Sequence, residues 1–492
     1  MKIHPAMAEV ERFIYLIATG EKMSETTKNL QQENKMGVMP VNRLIISMSL
    51  PMMVSMLVQA MYNIVDSMFV AKLGEDALTA LSLAFPMQNF MIAVGSGTGV
   101  GVNALVSRYL GEKKFKEANR GANNGIFLAL LSAIFFCVLC LSASKWLFIW
   151  QKANETITQY GVQYMTICGG LCFGIFGQFI FERLLQCTGK TMYSMVTQMT
   201  GAIINIILDP IMIFGYLGCP AMGVRGAAIA TVIGQFCAAA LAVFFNLKFN
   251  RELTIRLKEI FRPNGKIIGK IYSVGVPSII MASVSSVMNF CMNNILMAFT
   301  STATAVFGAY FKIQSFVFMP VFGLNNGMIP IISYNYGARK KARLQKAMRY
   351  GIIYAVSIMA VGLIIMQLFP GKLLGIFDAS DYMLQIGIPA IRIISLSFLC
   401  AGFGIAGSSI FQAFGKGFLS MLVSIARQLL VLVPVAYLLS KFGRVELVWW
   451  AFPIAEIIAV IMTSCFLIYI NRTIVHPMTE EPAESEGTQP VA

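Results

Sequence analysis

The sequence contains only two histidines, His4 and His476, and both lie near the ends of the chain. Because no apolar segment contains a histidine, intramembrane catalysis or metal chemistry that depends on imidazole is excluded. The ten cysteines lack the paired spacing of a disulfide framework or a zinc site, and eight of them fall within apolar segments. We therefore expect free thiols between packed helices, with no catalytic residue, resident metal or cofactor.

Charge is also scarce, because charged residues make up 12% of the chain and hydrophobic residues 57%. Soluble proteins are about 25% charged, so an ordinary globular enzyme and a disordered chain are both excluded. The net charge of +15 is not accompanied by a basic and aromatic platform outside the apolar segments. We therefore expect no nucleic-acid partner.

A phosphate-binding P-loop is absent as well, which argues against ATP-driven transport by this chain alone.

Long apolar runs make up most of the sequence. A spanning helix needs about 20 mostly apolar residues, and its backbone must satisfy its own hydrogen bonds in lipid. Strand-like alternation is absent, so the sequence predicts an all-α polytopic membrane protein with twelve transmembrane helices. The twelve runs are centred near Leu57, Val94, Phe135, Phe173, Asn205, Cys237, Val287, Pro320, Met359, Ser397, Leu430 and Val460.

The first 40 residues are polar apart from a short apolar patch over residues 13–18. This patch is too short for the core of a signal peptide. The residues leave open whether translation begins at Met1 or at Met23.

The chain is a duplication with a constant shift of 226 residues. The clearest stretch pairs Gln186, Gly189, Lys190, Ser194 and Met195 with Gln412, Gly415, Lys416, Ser420 and Met421. Each half holds six helices, an even number, so the two repeats are parallel, an arrangement known in transporters. The predicted organisation is an N-terminal tail (1–40), an N-lobe (41–247), a basic linker (248–270), a C-lobe (271–472) and an acidic tail (473–492).

Basic residues are distributed unevenly between the two sides of the predicted bundle. Connections that follow even-numbered runs carry 21 Lys and Arg residues, whereas those that follow odd-numbered runs carry 7. Positive loops stay in the cytoplasm, so we expect both termini there and the protein in the cell inner (plasma) membrane. Membrane topology therefore accounts for the basic net charge.

Acidic residues are rare inside the apolar runs and differ between the halves. The 226-residue shift pairs Asp66 with Met292 and Asp209 with Val435, so these two acids occur in the first half only. Intramembrane carboxylates are costly and usually face a cavity, which places the expected chemistry in the N-lobe. Only four of the 23 acids lie in predicted helices, namely Asp66, Glu182, Asp209 and Glu456.

Helical spacing places polar partners beside both acids. Asn205 precedes Asp209 by four residues, while Tyr62 and Gln59 precede Asp66 by four and seven. Residues at these spacings share one helix face. We expect both acids and their partners to meet in the outer half of the lobe.

Thr231 lies about two turns into the sixth run and completes this predicted group. Two neighbouring carboxylates with amide and hydroxyl oxygens can hold a proton or Na⁺. The alternative is that Asp66 caps a helix end near the lipid headgroups and that Asp209 only bonds Asn205.

The other charged residues have structural interpretations. Glu182 adjoins Arg183, and this pair predicts a salt bridge at the membrane interface. Glu456 has two candidate partners within the C-lobe, Arg427 and Arg392. Lys312, in the eighth run, is either part of an ion pair within the C-lobe or a charge in the cavity between the lobes.

These segments resemble the multidrug and toxic compound extrusion (MATE) family, in particular its bacterial DinF-like and MepA-like branches. The likeness extends over about residues 40 to 470. Its motifs are Gln59-Ala-Met-Tyr62-Asn63-Ile-Val-Asp66, Asn205-Ile-Ile-Leu-Asp209-Pro210 and Gly226-Ala-Ala-Ile-Ala-Thr231.

The resemblance implies alternating access between two lobes and efflux of amphiphilic, often cationic compounds in exchange for Na⁺ or H⁺. Family members with a C-lobe cation site use acids in helices 7 and 10, which this sequence lacks. We expect a monomer in the lipid bilayer. By matching position, the coupling-ion group would be Asp66, Asn205, Asp209 and Thr231, and the substrate-binding residues would be Gln59, Tyr62, Asp66, Asn205 and Asp209.

Two other functions stay open at this point. A flippase for a lipid-linked precursor would favour a cationic cavity, to which Lys312, Arg392 and Arg427 could contribute. The segment of the fifth run that contains Asn205, Asp209 and Pro210 argues against this function. A membrane enzyme would need a catalytic cluster at the interface, and Asp378 with Asp381 is the nearest approach to one. The walls rich in Met and Phe favour flat apolar cations as substrates. Neither one substrate nor a choice between Na⁺ and H⁺ follows from the residues.

Overall fold

The structure is a computed structural model that describes residues 34–151, 153–377 and 379–479. Several features named above lie outside the described residues. These are most of the N-terminal tail with His4, the patch over residues 13–18 and both candidate start residues, together with Asp378 and the acidic tail from residue 480 onward.

The described residues form helices and no strands. Ten helices are long and apolar enough to cross a membrane, and two bent helix pairs raise the number to twelve, which confirms the predicted fold of a multi-pass membrane protein. The helices are α1 Val41–Ala71, α2 Glu75–Gly111, α3 Phe115–Trp150, α4 Glu155–Gly170 with Phe173–Cys187, α5 Thr191–Phe214, α6 Val224–Phe249, α7 Gly265–Met297, α8 Ser301–Gly337, α9 Lys341–Leu368, α10 Asp381–Ser395 with Phe398–Ala413, α11 Gly417–Ser440 and α12 Val445–Val475.

The sequence did not predict the bends in α4 and α10. The two parts of α4 meet at 44° and those of α10 at 48°. Both bends fall at the centres of single predicted runs and involve no proline at the break. Hydrophobicity alone does not distinguish a bent span from a straight one.

The turns reproduce the duplication. Lys113 and Arg339, separated by the 226-residue shift, both have positive φ, at 56° and 52°. Gly189 and Gly415 are related in the same way, with φ of 81° and 76°. Such angles are uncommon outside glycine, so their recurrence at equivalent turns confirms the repeat. The boundaries of the two lobes remain a prediction.

The first half, α1–α6, and the second half, α7–α12, contact each other through reciprocal helix pairs. Helix α1 packs on α8, and α2 packs on α7. Gly111 of α2 lies against the Tyr334 carbonyl of α8, and Gly337 of α8 lies against the Arg108 carbonyl of α2. We call this side, where α6 is linked to α7, the linker end. The two halves are held closely together there.

Candidate functional site

Helices α5 and α6 bring three polar side chains into one buried cluster. The Asn205 side-chain nitrogen donates to Asp209 Oδ1 at 3.3 Å and to Thr231 Oγ1 at 3.2 Å. The exposed fractions are 2% for Asn205, 0% for Asp209 and 7% for Thr231. One helical turn separates Asn205 from Asp209, so a single amide links the carboxylate to the neighbouring helix.

Helix α1 adds two residues to the same place. The Asp66 side chain lies beside the Asp209 carboxylate, and the Tyr62 side chain lies beside Thr231. Helix α1 continues to Ala71 beyond Asp66, so Asp66 is an internal residue and does not cap the helix end. We call Tyr62, Asp66, Asn205, Asp209 and Thr231 the carboxylate cluster.

Gln59 does not hydrogen-bond with this cluster. Its side-chain nitrogen donates to Asn63 Oδ1 at 3.3 Å, one turn further along α1. Gln59 was one of the residues that the sequence suggested for substrate binding. Its side-chain amide instead bonds to a residue of its own helix.

Sequence reasoning missed the contribution of α4. Tyr164 is 3% exposed and accepts a hydrogen bond from Gln88 Nε2 of α2 at 3.0 Å. Tyr164 and Cys168 lie close enough to Asp66 for electrostatic interaction. Tyr164 and Cys168 are four residues apart and so share one face of α4. Because both side chains are neutral, the sequence did not mark them as functional in the way that it marked the intramembrane acids.

Three oxygens in the carboxylate cluster are buried without a hydrogen-bond partner, namely Asp66 Oδ1, Asp209 Oδ2 and Asn205 Oδ1. Within the described part of the chain, neither carboxylate has a Lys, Arg or His within 4.0 Å. Isolated buried carboxylates cost several kcal/mol, and two facing carboxylates repel each other. A bound proton or a small cation with oxygen ligands would relieve both costs.

Glu182 and Arg183 do not form the predicted salt bridge. Neighbouring helical residues point about 100° apart, so adjacency in sequence does not give contact. Glu182 Oε1 instead accepts hydrogen bonds from Gln178 Nε2 at 3.0 Å and from Thr197 Oγ1 at 3.1 Å.

Arg183 joins the two halves of the protein. Its guanidinium donates to Gln186 Oε1 at 2.8 Å and to Asn326 Oδ1 of α8 at 3.0 Å. Arg183 is 7% exposed, so this contact is buried between α4 and α8.

In the second half, Arg427 is the partner of Glu456, with the charged atoms 2.8 Å apart. Lys312 forms no ion pair within the described residues, and its nitrogen lies 5.9 Å from the centre of the Phe377 ring. Arg392 is exposed and likewise has no acidic partner in the described ranges. Of the three cations considered for a cationic cavity, one is therefore neutralised.

A sequence model of the family described as MatE matches residues 51–211 and 277–438 of this chain. These two segments begin 226 residues apart and lie in the two halves.

The chain is similar to curated multidrug exporters over most of its length. It is 25% identical to multidrug export protein MepA of Staphylococcus saprophyticus, covering 86% of this chain and 92% of the relative. It is 26% identical to the MepA of Staphylococcus haemolyticus over the same shares.

Solved structures of a MATE family transporter and of another MOP superfamily transporter resemble the fold closely. One is described as the outward-facing conformation of a multidrug resistance MATE family transporter, with a TM-score of 0.85, 25% identity and coverage of 91% of this chain and 100% of the other. A transporter from Pyrococcus furiosus, described as having a binding pocket of reversed polarity, gives a TM-score of 0.84 at 25% identity, with 92% and 99% covered.

Proposed function

Because the chain belongs to the MatE family of multidrug efflux transporters, we propose that it exports amphiphilic organic cations in exchange for Na⁺ or H⁺. The relatives are exporters and not enzymes, which agrees with the lack of a catalytic residue set in the sequence. The observation that carries the proposal is the carboxylate cluster, with its facing acids and three unpartnered oxygens.

Competition for the same two acids would couple the flows. A proton or Na⁺ between Asp66 and Asp209 neutralises the negative charge that attracts a cationic substrate. An organic cation that binds there makes the neutralising ion unnecessary, so the two ligands exclude one another. The neighbouring hydroxyls of Tyr62 and Thr231 and the Asn205 oxygen are suited to a small cation with oxygen ligands.

The contacts between the halves support alternating access. Close backbone approaches and the Arg183–Asn326 hydrogen bond lie in the linker-end halves of their helices. In the opposite halves of the helices, the Asn89 side-chain nitrogen donates to Ser286 Oγ at 3.2 Å, but no described glycine there lies against backbone of the other half of the chain. This pattern favours a state closed at the linker end, with the carboxylate cluster reached from the other side.

The charge bias supports the orientation of this state. The connections that follow even-numbered helices lie at the linker end, and with the adjoining helix ends they hold 21 of the 28 cations counted in the sequence. By the positive-inside rule the linker end is cytoplasmic, as are both termini. The state would then be outward-facing, and the protein would occupy the cell inner (plasma) membrane as a monomer.

Flipping of an anionic lipid-linked precursor is the alternative, and it would need a positively charged cavity. Arg427 is neutralised by Glu456, which leaves Lys312 and Arg392 as the free cations of the three. Flipping of an anionic lipid would leave the negatively charged carboxylate cluster without a role. Cation export is therefore the better-supported proposal.

The test is uptake of a fluorescent organic cation into proteoliposomes under an imposed Na⁺ gradient and, separately, an imposed pH gradient. We expect one of the two gradients to drive uptake by the native chain. The double substitution Asp66→Asn with Asp209→Asn should reduce gradient-driven uptake at least about tenfold, because no carboxylate remains to exchange ligands.

Asp76→Asn is the matched control, since it removes an exposed acid at the start of α2 outside the cluster. Its uptake should equal that of the native chain. Full gradient-driven uptake by the double variant would contradict the proposal, as would transport of an anionic lipid but of no organic cation.

A further inference from the structure

A polar cavity lies at the linker end, away from the carboxylate cluster. It has a volume of about 300 Å³ and is formed where the segment between α6 and α7 crosses the start of α3. Its lining residues are Lys116, Asn119, Arg120, Thr254, Arg256 and Glu259.

Asparagines of α3 fix the wall of this cavity. Asn119 Oδ1 accepts a hydrogen bond from the Thr254 backbone nitrogen at 2.8 Å. Asn123 Oδ1 accepts one from the Arg256 backbone nitrogen at 3.1 Å, and Asn123 is fully buried. The linker is thus held against α3 by defined contacts, and the basic side chains of both elements face one space.

The charge balance of the cavity is positive. Lys116, Arg120 and Arg256 outnumber the single acid, Glu259, whose Oε2 accepts a hydrogen bond from Asn123 Nδ2 at 3.4 Å. None of the three cations has an acidic partner within 4.0 Å among the described residues. Two guanidinium groups and an ammonium group in one recess are suited to a phosphate, which guanidinium binds through paired hydrogen bonds.

The wall that α3 contributes to the cavity is not repeated at the start of α9. The 226-residue shift places Ala342 at the position of Lys116 and Arg349 at the position of Asn123. The start of α9 therefore lacks both the lysine and the asparagine that holds the linker. A general need for positive loops would not distinguish the two halves in this way.

Apolar side chains surround the cavity on the same two elements. Phe115, Leu257 and Phe261 are 49%, 77% and 63% exposed. Exposed apolar residues interleaved with basic ones are typical of segments that lie in the headgroup region of an anionic leaflet.

We propose that this cavity binds a phosphate-bearing anion, and that its setting favours the headgroup of an anionic phospholipid at the linker end. The bound phosphate would bridge α3 and the linker, and so stabilise the connection between the two halves.

The test measures the thermal unfolding midpoint of the full chain in phosphatidylcholine vesicles with an increasing fraction of phosphatidylglycerol. The cavity variant carries Lys116→Gln, Arg120→Gln and Arg256→Gln. The matched control carries Lys258→Gln, Arg262→Gln and Lys266→Gln, which remove the same charge from the same region without lining the cavity. We expect a rise of about 2–4 °C for the native chain and the control, and little or none for the cavity variant.

A second arm adds inorganic phosphate to vesicles of phosphatidylcholine alone. A rise with phosphatidylglycerol only identifies the lipid headgroup, whereas a rise in both arms identifies free phosphate as a ligand as well. Equal behaviour of the cavity variant and the control, or no response of the native chain in either arm, would overturn the proposal.

If the triple variant does not fold, the single variant Arg120→Gln is compared with Arg262→Gln. The readout is then the number of phosphatidylglycerol molecules retained in native mass spectrometry. A lower number for Arg120→Gln supports the proposal, and equal numbers overturn it.

Discussion

At the scale of single residues, the placement of Asp209 favours a functional over a structural role for its charge. The side chain is fully buried, and its carboxylate faces Asp66 while Oδ2 has no hydrogen-bond partner. A structural role would be served better by a neutral side chain of the same shape, because a buried charge without a basic partner destabilises the fold.

We therefore predict that Asp209→Asn separates stability from transport. The thermal unfolding midpoint should stay equal to that of the native chain or rise, because the uncompensated charge is removed. Gradient-driven uptake should fall by about tenfold or more, because one of the two exchanging carboxylates is lost. Differential scanning fluorimetry and the proteoliposome assay measure the two quantities on one preparation. A large loss of thermal stability would assign Asp209 a structural role.

Residue spacing predicted part of this cluster and missed part. The four-residue intervals placed Asp66 with Tyr62, and Asp209 with Asn205, since helical periodicity fixes which side chains share a face. The pairing of Glu182 was predicted wrongly, because its partners Gln178 and Thr197 are set by turn and inter-helix geometry. Contacts between helices depend on the rotation of each helix, which hydrophobicity in a continuous apolar run does not specify.

At the scale of helices, small residues set how closely α2 and α8 approach. A Cβ on Gly337 would overlap the Arg108 carbonyl, whereas one on Gly308 of the same helix would meet nothing within 4 Å. The repeat predicted that both glycines of the pair Gly111 and Gly337 occupy equivalent positions. It could not predict that they face each other across the two halves.

We predict that Gly337→Ala lowers the free energy of unfolding by about 1–3 kcal/mol, because backbone on the facing helix must move. Gly308→Ala, the control in the same helix, should be neutral or stabilising by up to about 1 kcal/mol. Denaturant unfolding in detergent measures both values. Equal effects of the two substitutions would show that the linker end is not tightly closed.

Helix α11 illustrates a local departure that the sequence did not reveal. Residues Ala426–Leu432 are π-helical, and Arg427 within this segment reaches Glu456 of α12 at 2.8 Å. A π-helical turn inserts residues without a change in hydrophobic pattern, so periodicity does not predict it. The sequence limited the partner of Glu456 to Arg427 or Arg392. In the structure the partner is Arg427, which lies in the π-helical segment.

We predict that Glu456→Gln destabilises the protein by about 3 kcal/mol, because Arg427 is left as an unpaired, mostly buried charge. The double substitution Glu456→Leu with Arg427→Met should recover most of the lost stability. Thermal unfolding of Glu456→Leu, of Arg427→Met and of the double variant measures the coupling in a double-mutant cycle. Additive effects of the two single substitutions would contradict the pairing.

At the scale of the whole molecule, one scaffold is used twice with different chemistry. The 226-residue shift gives equivalent helices and turns in both halves, yet the two acids of the carboxylate cluster and the Lys116 and Asn123 of the linker cavity have different residues at the equivalent positions of the second half. The sequence predicted twelve spans, the repeat and the asymmetry of the acids, because these depend on composition and spacing. The closed linker end and the bends in α4 and α10 depend on packing between helices and required the structure.

The central claim is that an organic cation and the coupling ion compete for Asp66 and Asp209. Equilibrium binding of a fluorescent organic cation to the purified protein, titrated against Na⁺ at fixed pH and against pH at fixed Na⁺, tests it most directly. For the native chain, the apparent Kd should rise with Na⁺ or with proton concentration, and this dependence should disappear in the variant with Asp66→Asn and Asp209→Asn. A native Kd that is unchanged across both titrations would contradict the account.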